Sequence, residues 1–211
     1  MKEKSTDPIW TSLMAWCAAV VGPCEVVAGD DRFHGRTSVT QLRSPSGVCY
    51  LKVYGERSFW AQEAHAYEQW APVFGEHAPR LLGVREQEPP ALLVAELPGT
   101  LMDEMTLPAD RERRIWRAAG RALVDLHTLA VGDGFGPCRR DGSCAGTAMD
   151  DAVAYVGGQL ERLAEAGRRA GYLDDETMRV VRAAMDLVPA FEGEPPVPCR
   201  GGGERGTAAG R

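Results

Sequence analysis

The chain is 211 residues long and 22.9 kDa, and 44% of it is hydrophobic, enough to build one domain or two small lobes around a real core. Its formal charge of −6 and pI near 5.3 exclude a nucleic-acid binder, which needs clustered excess cation, and suit a cationic small-molecule partner. No apolar run approaches the ~20 residues of a membrane span, and the six cysteines (Cys17, Cys24, Cys49, Cys138, Cys144, Cys199) lack CxxC or Cys/His spacing, so they read as reduced thiols of a cytoplasmic protein.

The first predicted element is an amphipathic helix at 8–21. Its run SLMAWCAAVVG (12–22) also has the length of a signal-peptide core, but Glu3, Asp7, two tryptophans and the lack of a small-residue cleavage site favour the helix. CEVVAGD, DRFHGRTS and VTQLRSPSGVCYLKVYG follow, short β-branched runs punctuated by Gly, Ser, Pro and Asp, which predict hairpin strands. ERSFWAQEAHAYEQWAPVFG (56–75) sets Phe59, Ala66, Tyr67 and Trp70 at helical spacing, and APRLLGV with PPALLVAELPG returns to two strands. The first half is thus expected to be a small antiparallel sheet of five strands interrupted by one helix.

From Thr106 the character changes. TLPADRERRIWRAAGRALVDLHTLA predicts a helix capped by Thr106, with Pro near the first turn and Ile115, Ala119, Leu123 and Leu126 on one face. Beyond the Gly-rich loop GDGFGPCRRDGSCAG, a second helix carries the stripe Val153, Val156, Leu160 and Leu163. DDETMRVVRAAMDLV makes a third, with acidic residues at its N-terminus where the macrodipole favours them. Strands followed by helices, without β/α alternation, predict an α+β chain or two lobes. The end, PPVPC and then RGGGERGTAAGR, has five glycines in its last twelve residues and no large apolar side chain, so it cannot build a core.

Only three of the 24 Lys plus Arg residues are lysines, and Lys2 and Lys4 lie at the start of the chain. Lys52 stands alone in a segment that otherwise reads as a buried strand. An ammonium at that depth must be paired, and Glu63, eleven residues on in the next helix, can hold it toward nucleotide phosphates. The loop FHGRTS (33–38) could cover those phosphates with backbone N–H groups and the hydroxyls of Thr37 and Ser38, Gly35 permitting close approach beside Arg36. ALLVAELPG ends a strand in a turn, where Ala95, Glu96 and Leu97 offer backbone groups to an adenine edge. Taken singly, each feature has a plainer reading as a snorkelling lysine, a solvated glutamate or an ordinary turn. Their order is that of a kinase amino-terminal lobe.

The series YLKVY, QEAHAYEQWAP, APRLLGV, LLVAELPG and the helix ending ALVDLHTL resembles the aminoglycoside phosphotransferase family, bacterial small-molecule kinases with a protein-kinase-like fold, over roughly residues 20–198. The resemblance implies an α+β fold. It would comprise a five-stranded antiparallel nucleotide-binding lobe with one helix (1–97), an incomplete helical lobe (98–198) and a disordered Gly-rich tail (199–211). It implies ATP-dependent phosphorylation of a hydroxyl on a small, cationic substrate. Lys52 would contact the α and β phosphates, Glu63 would hold Lys52, with Glu68 as the alternative register, and the backbone of Ala95 and Leu97 would bind adenine.

In that family a His-Gly-Asp-type loop ending in Asn, followed by a strand bearing a second Asp, carries the chemistry and holds magnesium. Here Cys199 is followed by Arg200 and the glycine-rich stretch, and no Asn occurs among the 211 residues. The triplet Arg139-Arg140-Asp141 has similar lettering but lies in a Gly-rich loop with no Asn after it. His34, His65, His77 and His127 show no ligand spacing. The expectation is a family member truncated before its catalytic loop, with weak or vestigial ATP binding and no phosphate transfer. A non-catalytic nucleotide-binding module and an unrelated α+β binding protein are the alternatives.

Overall fold

The computed structural model describes residues 7–29, 37–100, 105–129, 132–145 and 151–198. Helix α1 (Pro8–Val21) has the bounds expected from the sequence. The Asp7 carboxylate accepts the Ile9 N–H at 2.9 Å, Pro8 occupies the first turn, and Gly22 at φ 84° ends the helix by donating its N–H to the Ala18 carbonyl at 3.0 Å.

Five strands follow among the described residues: β1 (Glu25–Gly29), β2 (Thr37–Ser44), β3 (Gly47–Tyr54), β4 (Leu81–Arg85) and β5 (Ala91–Ala95). They form one antiparallel sheet in the order β1-β2-β3-β5-β4. Alternation along β3 divides the two faces. Cys49 and Leu51 lie against α1 with Leu13, Cys17, Leu42, Ala91 and Leu93. Tyr54 lies on the opposite face with Leu92, packed against Trp60 and Ala64 of helix α2 (Arg57–His65). Gly83 of β4 lets α1 approach, because a Cβ there would sit 3.1 Å from the Trp16 ring and 3.3 Å from Val20.

The helix expected over 56–75 is shorter and broken. After α2 the chain makes one π-helical turn (Ala66–Trp70) and a 3-10 segment (Ala71–His77) in which Gly75 takes φ 55°. Pro72 explains the break, since it offers no N–H and its ring clashes with the carbonyl four residues earlier.

Helix α3 (Ala109–Leu129) begins three residues beyond Thr106, so Thr106 is not its cap. The Pro108 carbonyl accepts the N–H groups of Arg111 and Glu112 at 2.9 and 3.0 Å, and the residue before a proline is disfavoured in helical conformation. Of the expected stripe only Leu126 is buried, while Ile115 and Leu123 are 39% and 46% exposed.

The chain divides into two compact units. The first runs to Leu129 and holds the sheet, with α3 packed along the Ala71–His77 segment. The division falls after α3. The second unit, 130–199, holds α4 (Ala152–Arg169), α5 (Asp175–Met185) and a 3-10 turn (Val188–Phe191). Asp151 caps α4 by accepting the Val153 N–H at 2.8 Å, and Asp174 caps α5 by accepting the Thr177 N–H at 2.8 Å. Val188 is buried, 3.7 Å from where a Cβ on Gly157 of α4 would stand. Leu163, in the expected α4 stripe, is exposed. No helix among the described residues is long and apolar enough to cross a membrane. The tail 199–211 lies outside the described residues.

Candidate functional site

Lys52 sits mid-strand in β3, opposite Val39 of β2 and Leu92 of β5, so apolar neighbours flank its stem on both sides. Its Nζ forms an ion pair with Glu63 Oε1, and the Tyr54 hydroxyl donates to Glu63 Oε2 at 2.5 Å. One carboxylate from α2 is thus held at both oxygens by two β3 side chains. The ring centroids of Tyr67 and Tyr54 lie 5.7 and 6.0 Å from Nζ, within reach of a cation–π attraction. Glu63, rather than Glu68, makes the pair.

The Lys52 side chain is only 19% exposed. Burial pushes its pKa down from 10.5 to about 8, because the charged form loses hydration. The Glu63 carboxylate acts in the opposite direction, and the ammonium remains the majority form at neutral pH. Burial also raises the Tyr54 hydroxyl, with Tyr67 adding to the shift, and raises the Tyr67 hydroxyl itself. Both phenols therefore stay protonated and able to donate.

The other expected site residues fall around this cluster unevenly. Thr37 pairs opposite Tyr54 and shares the Lys52 face, whereas Ser38 pairs opposite Val53 and belongs to the α1 face. Gly35 and Arg36 lie outside the described residues. At the end of β5 the Ala95 N–H donates to the Arg80 carbonyl at 2.8 Å and the Glu96 N–H to the Val48 carbonyl at 3.2 Å. Neither amide is spare for a ligand, whereas the Leu97 N–H makes no backbone bond among the described residues. The Glu96 carboxylate accepts a long bond of 3.5 Å from the Tyr50 hydroxyl, which also receives the Gln41 amide at 3.2 Å. Leu97 and Pro98 join Glu76 and His77 in lining an open depression of about 500 Å³.

Asp141 of the Arg-Arg-Asp triplet is occupied structurally. Its carboxylate accepts both the Ser143 hydroxyl, at 2.7 Å, and the Ser143 N–H, at 3.0 Å, and these bonds hold its pKa below the ordinary value. Among the described residues no three His, Cys, Asp or Glu side chains are grouped to hold a metal.

Neither Tyr54 nor Tyr67, which the sequence marks only as part of a helical stripe, stands out there as a partner of the Lys52–Glu63 pair, although two simple spacings point to both. Tyr54 stands two residues after Lys52 on an alternating strand, and Tyr67 stands one helical turn after Glu63. Replacing Tyr54 by phenylalanine removes one of the two bonds on Glu63 and keeps the ring. The expected cost is about 1 to 2 kcal/mol in urea unfolding; an unchanged midpoint would show that the phenol does not contribute to holding the carboxylate.

The model of the phosphotransferase enzyme family matches residues 37–199, from β2 to the end of the second unit. No curated protein matches the chain. Among solved structures, a thermostable mutant of aminoglycoside phosphotransferase APH(4)-Ia in ternary complex with ADP and hygromycin B is similar, with 12% identity and a TM-score of 0.58. That match covers 88% of this chain and 61% of that one. APH(4)-Ia itself matches at 14% identity and TM-score 0.56, over 86% of this chain and 60% of that one. The apo form of a thermostable mutant matches at 13% identity and TM-score 0.57, over 84% and 59%. The chain therefore spans about 60% of the length of these structures, and the likeness is one of fold: a kinase-like α+β architecture.

Proposed function

The chain belongs to the phosphotransferase enzyme family, and from that premise we propose that it binds ATP through Lys52 within a fold whose parent reaction is phosphorylation of a hydroxyl on a small cationic molecule. The observation that carries this reading is the Glu63 carboxylate held between Lys52 and Tyr54. Held at both oxygens, that carboxylate keeps the Lys52 ammonium charged and in one place on the sheet face. ATP, when bound, supplies the phosphoryl group for transfer. Lys52 offers a fixed positive charge to its phosphates, Thr37 a hydroxyl on the same face, and Leu97 a backbone donor just beyond β5.

Magnesium fits this set of residues poorly. The described residues offer no acidic cluster and the sequence has no Asn, so no step is assigned to the metal. The 211 residues alone are expected to bind nucleotide weakly and to transfer no phosphate. Acidic net charge repels the triphosphate, and the usual protein ligands that let magnesium offset this repulsion are not among them.

Isothermal calorimetry with ATP, with and without magnesium, tests the reading. Weak binding that magnesium changes little is expected, together with no phosphate transfer to hygromycin B, the aminoglycoside bound by the similar solved structure. No binding at any accessible concentration would remove the nucleotide site. A strong magnesium requirement, or turnover, would overturn the assignment of a non-transferring chain.

A further inference from the structure

The sequence Pro137-Cys138-Arg139-Arg140-Asp141-Gly142-Ser143-Cys144-Ala145 folds in the second unit as a tight hairpin, and it brings two of the cysteines face to face. Cys138 and Cys144 are direct partners in an antiparallel bridge. The Arg139 N–H donates to the Ser143 carbonyl at 2.8 Å and the Ala145 N–H to the Pro137 carbonyl at 2.6 Å. These bonds flank the Cys138/Cys144 pair on either side, so it is a non-hydrogen-bonded pair, the kind in which opposite Cα atoms lie about 4.5 Å apart. That separation falls inside the Cα range of about 4.4 to 6.8 Å that disulfides span.

The surroundings keep the two thiols in place. Gly142 at φ 90° and its N–H to the Arg139 carbonyl at 3.0 Å close the turn. The Asp133 carboxylate accepts the Cys144 N–H at 2.9 Å, and the Arg139 guanidinium donates to the Cys144 carbonyl at 2.5 Å. Gly136 makes room for the Cys144 sulfur, which would lie 2.7 Å from any Cβ at that position. The Cys144 thiol is buried and directed to the Phe135 carbonyl at 3.3 Å, while the half-buried Cys138 thiol is directed to the Arg139 carbonyl at 3.1 Å. Neither bond is strong, and a rotation about each Cα–Cβ bond exchanges it for the other sulfur.

We propose that Cys138 and Cys144 are an oxidisable dithiol pair that closes to an intrachain disulfide across this hairpin. With a disulfide oxidant such as oxidised glutathione, the Cys138 thiolate attacks one glutathione sulfur and displaces the other as a thiolate. Cys144, losing its proton, then attacks the Cys138 sulfur and releases the second glutathione. The protein loses two protons and two electrons, and one glutathione disulfide becomes two thiols. Burial, then the carboxylates of Asp141 and Asp133 and the Cys144 thiol, raise the Cys138 pKa. Attack at neutral pH is slowed as a result, but a thiolate that is costly to form is also a poor leaving group, so the closed disulfide resists reduction. Cys17 of α1, with Cys24 and Cys49 in the same core cluster of the first unit, and Cys199, outside the described residues, are the competing thiols, and burial raises the first three. The proposal is independent of the nucleotide reading.

The sequence supplies a direct test. Trypsin cleaves after Arg139 and Arg140, so Cys138 and Cys144 fall on separate peptides, 122–139 and 141–162. The unmodified chain is incubated with oxidised glutathione, its remaining thiols are blocked with N-ethylmaleimide, and the non-reduced digest is read by mass spectrometry. The expected result is that these two peptides are recovered as the dominant disulfide-linked pair, vanish as a pair on dithiothreitol treatment, and are not linked in Cys144→Ser. Recovery of both as maleimide adducts or as separate glutathione mixed disulfides would overturn the proposal. So would linkage of either to a third cysteine.

Discussion

Replacing Lys52 by methionine is expected to weaken ATP binding roughly tenfold to a hundredfold, the worth of one charge-assisted contact to phosphate at about 1.5 to 3 kcal/mol. The same change should also cost stability, because it leaves the Glu63 carboxylate, 33% exposed, with the Tyr54 bond alone. Adding Glu63→Gln removes the stranded charge. The double variant should regain most of the stability lost by Lys52→Met while its affinity for ATP stays low. Paired urea unfolding and calorimetry separate the roles: recovery of ATP affinity in the double variant would mean that Lys52 acts only through the stability of the fold.

The pH dependence follows from the lowered pKa of Lys52, about 8 in the folded chain against 10.5 for the free side chain. Below pH 8 the lysine is protonated in both states, and its burial is a full cost to folding. Between about pH 8 and 10.5 the unfolded chain binds more protons than the folded one, so this group's contribution to stability rises with pH across that window. Phosphate binding runs the other way, falling as the ammonium loses its proton above pH 8. Burial also raises the pKa of thiols and phenols, which makes stability depend on pH above neutrality through those groups too, so the difference between wild type and Lys52→Met isolates the lysine. A difference curve flat from pH 7 to 10.5 would contradict the burial.

Trp60→Ala is expected to cost about 3 to 5 kcal/mol, a large part of the whole stability of a domain. Trp60 is 2% exposed, fills the space between α2 and the sheet beside Tyr54, Ala64 and Leu92, and its indole N–H donates to the Ala91 carbonyl at 3.3 Å. The Arg57 guanidinium lies over its ring at 5.0 Å from the centroid. Truncation leaves a cavity and removes the indole bond to the Ala91 carbonyl in the same place. Since Glu63 stands one helical turn after Trp60, loss of this anchor should also loosen the Lys52 pair. Trp60→Phe, which refills most of the volume, should cost markedly less. Equal unfolding midpoints for Trp60→Ala and wild type would show that α2 is not held by this side chain.

Period-two alternation in VCYLKVY already places Lys52 and Tyr54 on one face of a strand, and Asp7, Pro8 and Gly22 already bracket α1, because side-chain direction and capping depend on residues a few positions apart. Pro72 likewise announces the break after α2, although a spacing count through Tyr67 and Trp70 runs past it. What the spacing left open was which glutamate meets the lysine. Glu63 and Glu68 both follow β3 at plausible distances, and the choice came from Trp60 and Ala64 seating α2 on the sheet. The order β3-β5-β4, which engages the amides of Ala95 and Glu96 and leaves Leu97 at the edge, is a matter of long-range pairing. So is the separation of Thr37 from Ser38 onto opposite faces, since a register slip of one residue would exchange them. The exposed Ile115 and Leu123 make the same point from the other side. An amphipathic pattern states which face a helix can bury, but whether that face is covered depends on the area and shape of what packs against it, and no local run of residues encodes that.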